Sequence, residues 1–309
     1  MQRWLPDPFI FCAILTFFVF IASLLFTKAS VFDVIRYWSG GFWSLLSFSM
    51  QMALVLVTGH TMASSPVFKN LLEKMASKLK TPRQAIVVVT LVSTIACILN
   101  WGFGLVIGAI FAKEIAKKLK GVDYRLLIAS AYTGFLVWHG GLSASIPLQL
   151  ATGGEVLKQQ TLGVVSEAIP TSQTLFSPMN LYILIGLLIL LPLINAAMYP
   201  SPEEVVTINP DLLKEIEPVT IDTKTMTPAE KIENGKFVSY ALGVMGYVYI
   251  IKYLMENGFA LNLNIVNFIF LFTGIIFHGT PRRYLNALAE DVNGAAGILL
   301  QFPFSAGIM

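Results

Sequence analysis

Residues 84–112 carry no formal charge, yet basic side chains flank both ends of this 29-residue stretch. Lys69, Lys74, Lys78, Lys80 and Arg83 precede it, and Lys113, Lys117, Lys118, Lys120 and Arg125 follow. A helix rising about 1.5 Å per residue needs roughly 20 apolar residues to cross a hydrocarbon core about 30 Å thick. Two crossings would need about 40 residues and a turn, more than the stretch holds. One crossing would put a whole basic cluster outside, against the tendency of Lys and Arg near spans to stay cytoplasmic. A re-entrant hairpin that enters and leaves by one face satisfies both limits; one long tilted helix is the alternative. The turn is expected at Asn100-Trp101-Gly102-Phe103-Gly104, where two glycines permit backbone that a continuous helix would not have.

The rest of the chain reads in the same solvent. Only 13% of residues are charged and 55% are hydrophobic, against about 25% charged in soluble domains. Further spans are expected at 8–26, 43–63, 126–150, 179–199, 236–254 and 262–278, the first beginning inside after Arg3. The net charge of +3 is spread over loops and gives no surface for nucleic acid. Cys12 and Cys97 lie in apolar stretches and make no metal signature. The apolar positions between Lys69 and Lys80 follow a helical stripe, which predicts an amphipathic segment along the lipid surface.

Residues 200–235 hold five prolines and eight acidic residues, a hydrophilic connector between a first unit at 1–199 and a second at 236–309. The two units share a pattern. Thr81-Pro82-Arg83 precedes the hairpin, and Thr280-Pro281-Arg282 stands at the corresponding place in the second unit. Leu99-Asn100-Trp101-Gly102-Phe103-Gly104 then aligns without gaps to Leu300-Gln301-Phe302-Pro303-Phe304-Ser305. Paired helix interruptions at corresponding positions point to a midplane binding site between transporter repeats. The expected fold is therefore an all-α polytopic membrane protein of two repeats, each with a re-entrant hairpin, the second repeat cut short at Met309. One count disagrees: these spans leave Arg282 and Arg283 on the cytoplasmic side, so both hairpins would enter from the same face. A miscounted crossing would lie at 140–151 or 161–176.

Half-helix N-termini offer free N–H groups and a favourable dipole to a carboxylate. At the two expected tips Asn100 and Gln301 add amides that can donate to an oxygen or present a carbonyl to a cation, or merely satisfy the turn. Trp101, Phe103, Phe302 and Phe304 can line an apolar pocket or simply pack. A second constellation, Trp138-His139-Gly140-Gly141-Leu142-Ser143-Ala144-Ser145 with Pro147, interrupts an apolar stretch and is expected to unwind it, freeing carbonyls for Na⁺. His139 can carry a proton, pair with an anion or serve structurally. His60 and His278 fall at span ends, where an interfacial role is expected. Glu290 and Asp291 read either as intramembrane acids on an ion path or as ordinary residues near a helix start. No nucleophile, metal cluster or acid–base pair stands at workable spacing, which argues against an enzyme. Nor does any nucleophile elbow surround Ser143 or Ser145.

The motifs at 100–105, 138–143 and 301–304, supported by Ser39-Gly40-Gly41-Phe42-Trp43, Ile169-Pro170 and Thr174-Leu175-Phe176-Ser177-Pro178, resemble the short-chain fatty acid transporter family along the whole chain. The resemblance implies a bacterial inner-membrane permease for acetoacetate, butyrate and similar acids, related to the ion transporter superfamily, whose paired hairpins hold substrate and coupling ion. It implies uptake coupled to Na⁺ or H⁺ by alternating access, no other cofactor, and a homodimer. Ser305 departs from the tyrosine expected after Gln-Phe-Pro-Phe. Two other readings remain: an ion exchanger of the same architecture, disfavoured by the absence of an acid in the first hairpin, and a membrane scaffold whose polar residues only glue helices.

Overall fold

A computed structural model describes residues 6–213 and 226–308. Arg3, Met309 and the part of the connector containing Pro218 lie outside the described residues. Among those described, every regular element is helical.

Two helices open the chain. The first, α1 (Pro8–Phe26), is apolar all round and buries no residue within the chain, as a lipid-facing span does. A capping box of Ser30 and Asp33 starts α2 (Val31–Gly41). The central helix is α3 (Leu46–Ala63), 61% buried. It packs against α6 (Trp101–Lys118) and α13 (Leu263–His278). Between them run α4 (Pro66–Ala76) and α5 (Pro82–Leu99). Proline stands at the first turn of both, where its missing N–H costs nothing.

The stretch 84–112 is indeed broken at the expected place. Asn100 is extended (φ −155°, ψ 127°), ends α5 and starts α6, and the two helices pack side by side. Their arms are longer than the uncharged stretch, reaching back to Pro82 and on to Lys118. Gly104 permits the closest approach: a Cβ there would overlap Sγ and the backbone of Cys97.

The span expected at 126–150 is three pieces: α7 (Tyr124–Thr133), a 3₁₀ segment at Gly134–Gly140, and α8 (Ser145–Thr152) after a break at 141–144. Then come α9 (Gly154–Gln160) and α10 (Pro178–Ala197). Asn195 of α10 donates to the hydroxyls of Thr90 (3.0 Å) and Thr133 (2.8 Å), joining α5, α7 and α10 through polar contacts away from water. The second unit holds α11 (Pro228–Asn234), α12 (Lys236–Asn257), α13, α14 (Pro281–Asp291) and α15 (Ala296–Ile308). Among the described residues five helices are long and apolar enough to cross a membrane: α1, α3, α5, α10 and α12; α13, at 16 residues, is shorter.

Two expectations need correction. The second motif is no interruption: α15 runs straight through Gln301–Ser305 with Pro303 inside it, and the chain breaks instead at the 3₁₀ segment Val292–Ala295. The reason is local. Asn293-Gly294 provides a breaker pair ahead of the motif, and α15 continues through Pro303 despite the donor that residue removes. The amphipathic segment does not offer its whole apolar stripe to lipid. Phe68 of α4 packs edge-on to Phe103 (4.8 Å) and lies 5.6 Å from Phe277, and Leu72 is buried, while Val67 and Leu71 stay exposed.

Part of the connector clasps the α6–α7 loop through Asp123. Its carboxylate accepts from the N–H groups of Leu126 and Val206 (both 2.8 Å) and from Arg125 (3.3 Å), and Tyr199 bonds its backbone. Burial raises the Asp123 pKa, but those donors outweigh it and hold the carboxyl below the usual range. Asp123→Ala should therefore cost about 2 kcal/mol or more, since two backbone donors lose their acceptor. A carboxyl with a depressed folded pKa contributes above its unfolded value of about 3.9 and loses that contribution as pH falls through the folded one. Thermal unfolding of wild type and Asp123→Ala should accordingly converge only in strong acid.

Candidate functional site

The hairpin tip and the unwound segment meet. Trp101 N–H donates to the Ser143 hydroxyl (2.9 Å), and Leu142 N–H to the Ile98 carbonyl (2.6 Å). Asn100, fully buried, caps α6 by accepting from Phe103 N–H (2.9 Å) and reaches across to the Val55 carbonyl of α3 (3.2 Å). Two of the first three N–H groups of α6 are thus occupied by protein, and Gly102 lies against Leu56. Three carbonyls of the unwound segment are occupied too: Trp138 accepts from Gly141, Gly141 from Ala144, and Gly140 from the Asn180 amide (3.0 Å). Gly141 is needed where it stands, because a Cβ would lie 2.7 Å from the Ile98 carbonyl oxygen. Asn100, Gly102, Phe103, Gly104, Gly140, Gly141 and Ser143 together make the knot that fixes the tip.

Beside this knot lies an apolar cavity of about 580 Å³. Trp101 reaches it from the hairpin, Trp138, His139, Ser145 and Gln149 from the unwound segment and α8, Phe48 and Met52 from α3, and Ile298 and Phe302 from α15. The Trp101 and Trp138 rings are 5.5 Å apart, His139 stacks on Trp138 at 4.3 Å, and Phe48 stacks flat on Phe302 at 5.6 Å. Both indole N–H groups and the Gln149 carbonyl oxygen are buried without a partner among the described residues. Buried donors of this kind are normally paired, and two unpaired ones on adjoining rings suit an acceptor such as a carboxylate once the rings turn them toward the cavity, to which neither nitrogen is now exposed.

Five of the sequence-derived candidates, Trp101, Trp138, His139, Ser145 and Phe302, therefore share one cavity. The rest of the second motif does not join them. Phe304 packs with Phe9, Trp38 and Phe42 (5.0–5.8 Å) between α1, α2 and α15. Ser305 and the Gln301 carbonyl face Cys12, and Pro303 is buried. Phe48, Met52 and Gln149 were not singled out in the sequence. Gln149 was open to detection as a lone amide in an apolar run, whereas Phe48 and Met52 look like any other span residues.

The family model for short chain fatty acid transporters matches residues 1–309. The chain belongs to the short-chain fatty acid transporter family. A relative from Escherichia coli (strain K12), provisionally named a short-chain fatty acid transporter, is 43% identical over 309 residues, covering all of this chain and 69% of the relative. A second, from Haemophilus influenzae with the same provisional name, is 46% identical over 313 residues, covering all of this chain and 70% of the relative. No solved structure matches. Membership and the apolar helices make this short-chain fatty acid transporter family chain a membrane protein with a transport rather than a catalytic role.

Proposed function

We propose that the chain takes up short-chain fatty acids such as acetoacetate and butyrate across the bacterial inner membrane, by ion-coupled alternating access, and that the cavity beside the hairpin tip is where the acid binds. The observation that carries this reading is the lining: apolar and aromatic walls for a short alkyl tail, with two buried indole N–H groups lacking acceptors for the carboxylate. In this reading α5 and α6 form a re-entrant hairpin. The uncharged part of α6, residues 101–112, rises only about 18 Å, well short of a core about 30 Å thick. Walls from α3, the unwound segment and α15 let relative movement of these elements open the cavity to either side.

The test is uptake of labelled butyrate and acetoacetate into proteoliposomes, with Na⁺ and proton gradients imposed separately. Saturable uptake driven by either gradient is the expected result. No uptake under both would overturn the reading, and cation exchange by the same vesicles would replace it with an exchanger.

A further inference from the structure

Away from the cavity, Asp291 closes α14 with a half-buried carboxylate. Among the described residues no cation lies within ion-pair distance of it; its partner is the Thr61 hydroxyl, 3.0 Å from Oδ2. That hydroxyl is also 2.8 Å from the Val57 carbonyl one turn back in α3. Thr61 has one hydroxyl hydrogen and two neighbours that want it. With Asp291 ionised, the hydroxyl must donate to the carboxylate and leave Val57. With Asp291 protonated, the acid's own O–H donates to Thr61 Oγ1, and the hydroxyl turns to Val57. Both protonation states are hydrogen-bonded, and a rotation about one bond interconverts them.

From this geometry we infer that Asp291, gated by Thr61, is the proton-binding residue that couples substrate movement to a proton gradient. The step balances simply: a solvent proton forms an O–H bond on Asp291 Oδ2 and is later returned to solvent on the other side. The site is connected to the cavity at both ends. Met52, in the cavity wall, lies nine residues before Thr61 on the same helix, about 14 Å away, and the 3₁₀ break after Asp291 leads directly into α15, which brings Ile298 and Phe302 to that wall. The other titratable and charged groups nearby are Glu290 and Tyr284 on the same helix, His278 of α13, which donates from Nε2 to the Thr61 carbonyl (2.6 Å), and His60 of α3. Arg283 and Lys69 lie on the His278 side.

This inference rests on the proposed transport of carboxylates, and its test separates the two. In proteoliposomes, exchange of labelled for unlabelled butyrate needs the substrate site but no net proton movement. Asp291→Asn should keep exchange within about twofold of wild type and lose proton-driven accumulation. Thr61→Val removes the donor to the ionised carboxylate, and should move the pH of half-maximal driven uptake upward. Undiminished accumulation by Asp291→Asn would overturn the assignment. So would loss of exchange along with accumulation, which would place Asp291 in substrate passage or folding. Absence of exchange in wild type would instead overturn the transport reading itself.

Discussion

Replacing Trp101 and Trp138 together by phenylalanine should reduce butyrate uptake by about 100-fold or more, mainly as a rise in KM. Hydrogen bonds to a charged group contribute about 1.5–3 kcal/mol each, or roughly 10- to 100-fold in affinity per indole. Phenylalanine keeps an aromatic face against Phe135, which stacks 4.8 Å from Trp138 and lies 6.1 Å from Trp101. What is removed is the donor at each position. Trp38 supplies the control: its indole N–H is also buried without a partner among the described residues, but it packs with Phe42 and Phe304, away from the cavity. Trp38→Phe should leave uptake unchanged. Initial rates across a range of butyrate concentrations, normalised to protein in the membrane, check both.

Gly104→Ala should cost the chain its fold rather than its affinity. The added methyl would occupy the space of the Cys97 sulfur and backbone nitrogen, and backbone in a packed helix pair cannot step aside as a flexible side chain can. Overpacking typically costs about 1–3 kcal/mol and more when main chain must move. The tip itself would shift, since the Asn100 cap on Phe103 N–H and the Trp101 N–H bond to Ser143 lie within a turn of Gly104. Gly40, with nothing within 4 Å of a built Cβ, is the matched control. The yield of monodisperse protein and the unfolding temperature in detergent should fall sharply for Gly104→Ala and stay level for Gly40→Ala.

The sequence carried the break between α5 and α6, because 29 uncharged residues between basic flanks left little room for one continuous helix, and Asn-Trp-Gly marked where it falls. It also marked an unwinding at 138–145, where paired glycines and serines remove the reasons for helix to continue, although the 3₁₀ segment already begins at Gly134 and helix resumes at Ser145. What it did not carry was how these pieces use their polar groups. Asn100 could be read as a ligand or as a turn-satisfying amide; its oxygen accepts from Phe103 N–H and the Ser143 hydroxyl from Trp101 N–H, partners that depend on how the tip packs. The likeness of 300–305 to 99–104 suggested a second break, yet Asn293-Gly294 broke the chain earlier. Trp101, Trp138, Phe48 and Phe302 come from four separate stretches, and only packing of α3 and α15 around the tip brings them to one cavity. Periodicity along a single stretch contains no such information.

The most direct test of the central claim, that this cavity holds a short carboxylate by its indole donors, is calorimetric titration of purified protein. Butyrate should bind saturably at one site per chain, n-butanol of equal tail length should not bind at the same concentrations, and Trp101→Phe/Trp138→Phe should abolish the butyrate signal. Equal binding of butyrate and n-butanol, or unchanged butyrate binding by the double variant, would contradict it.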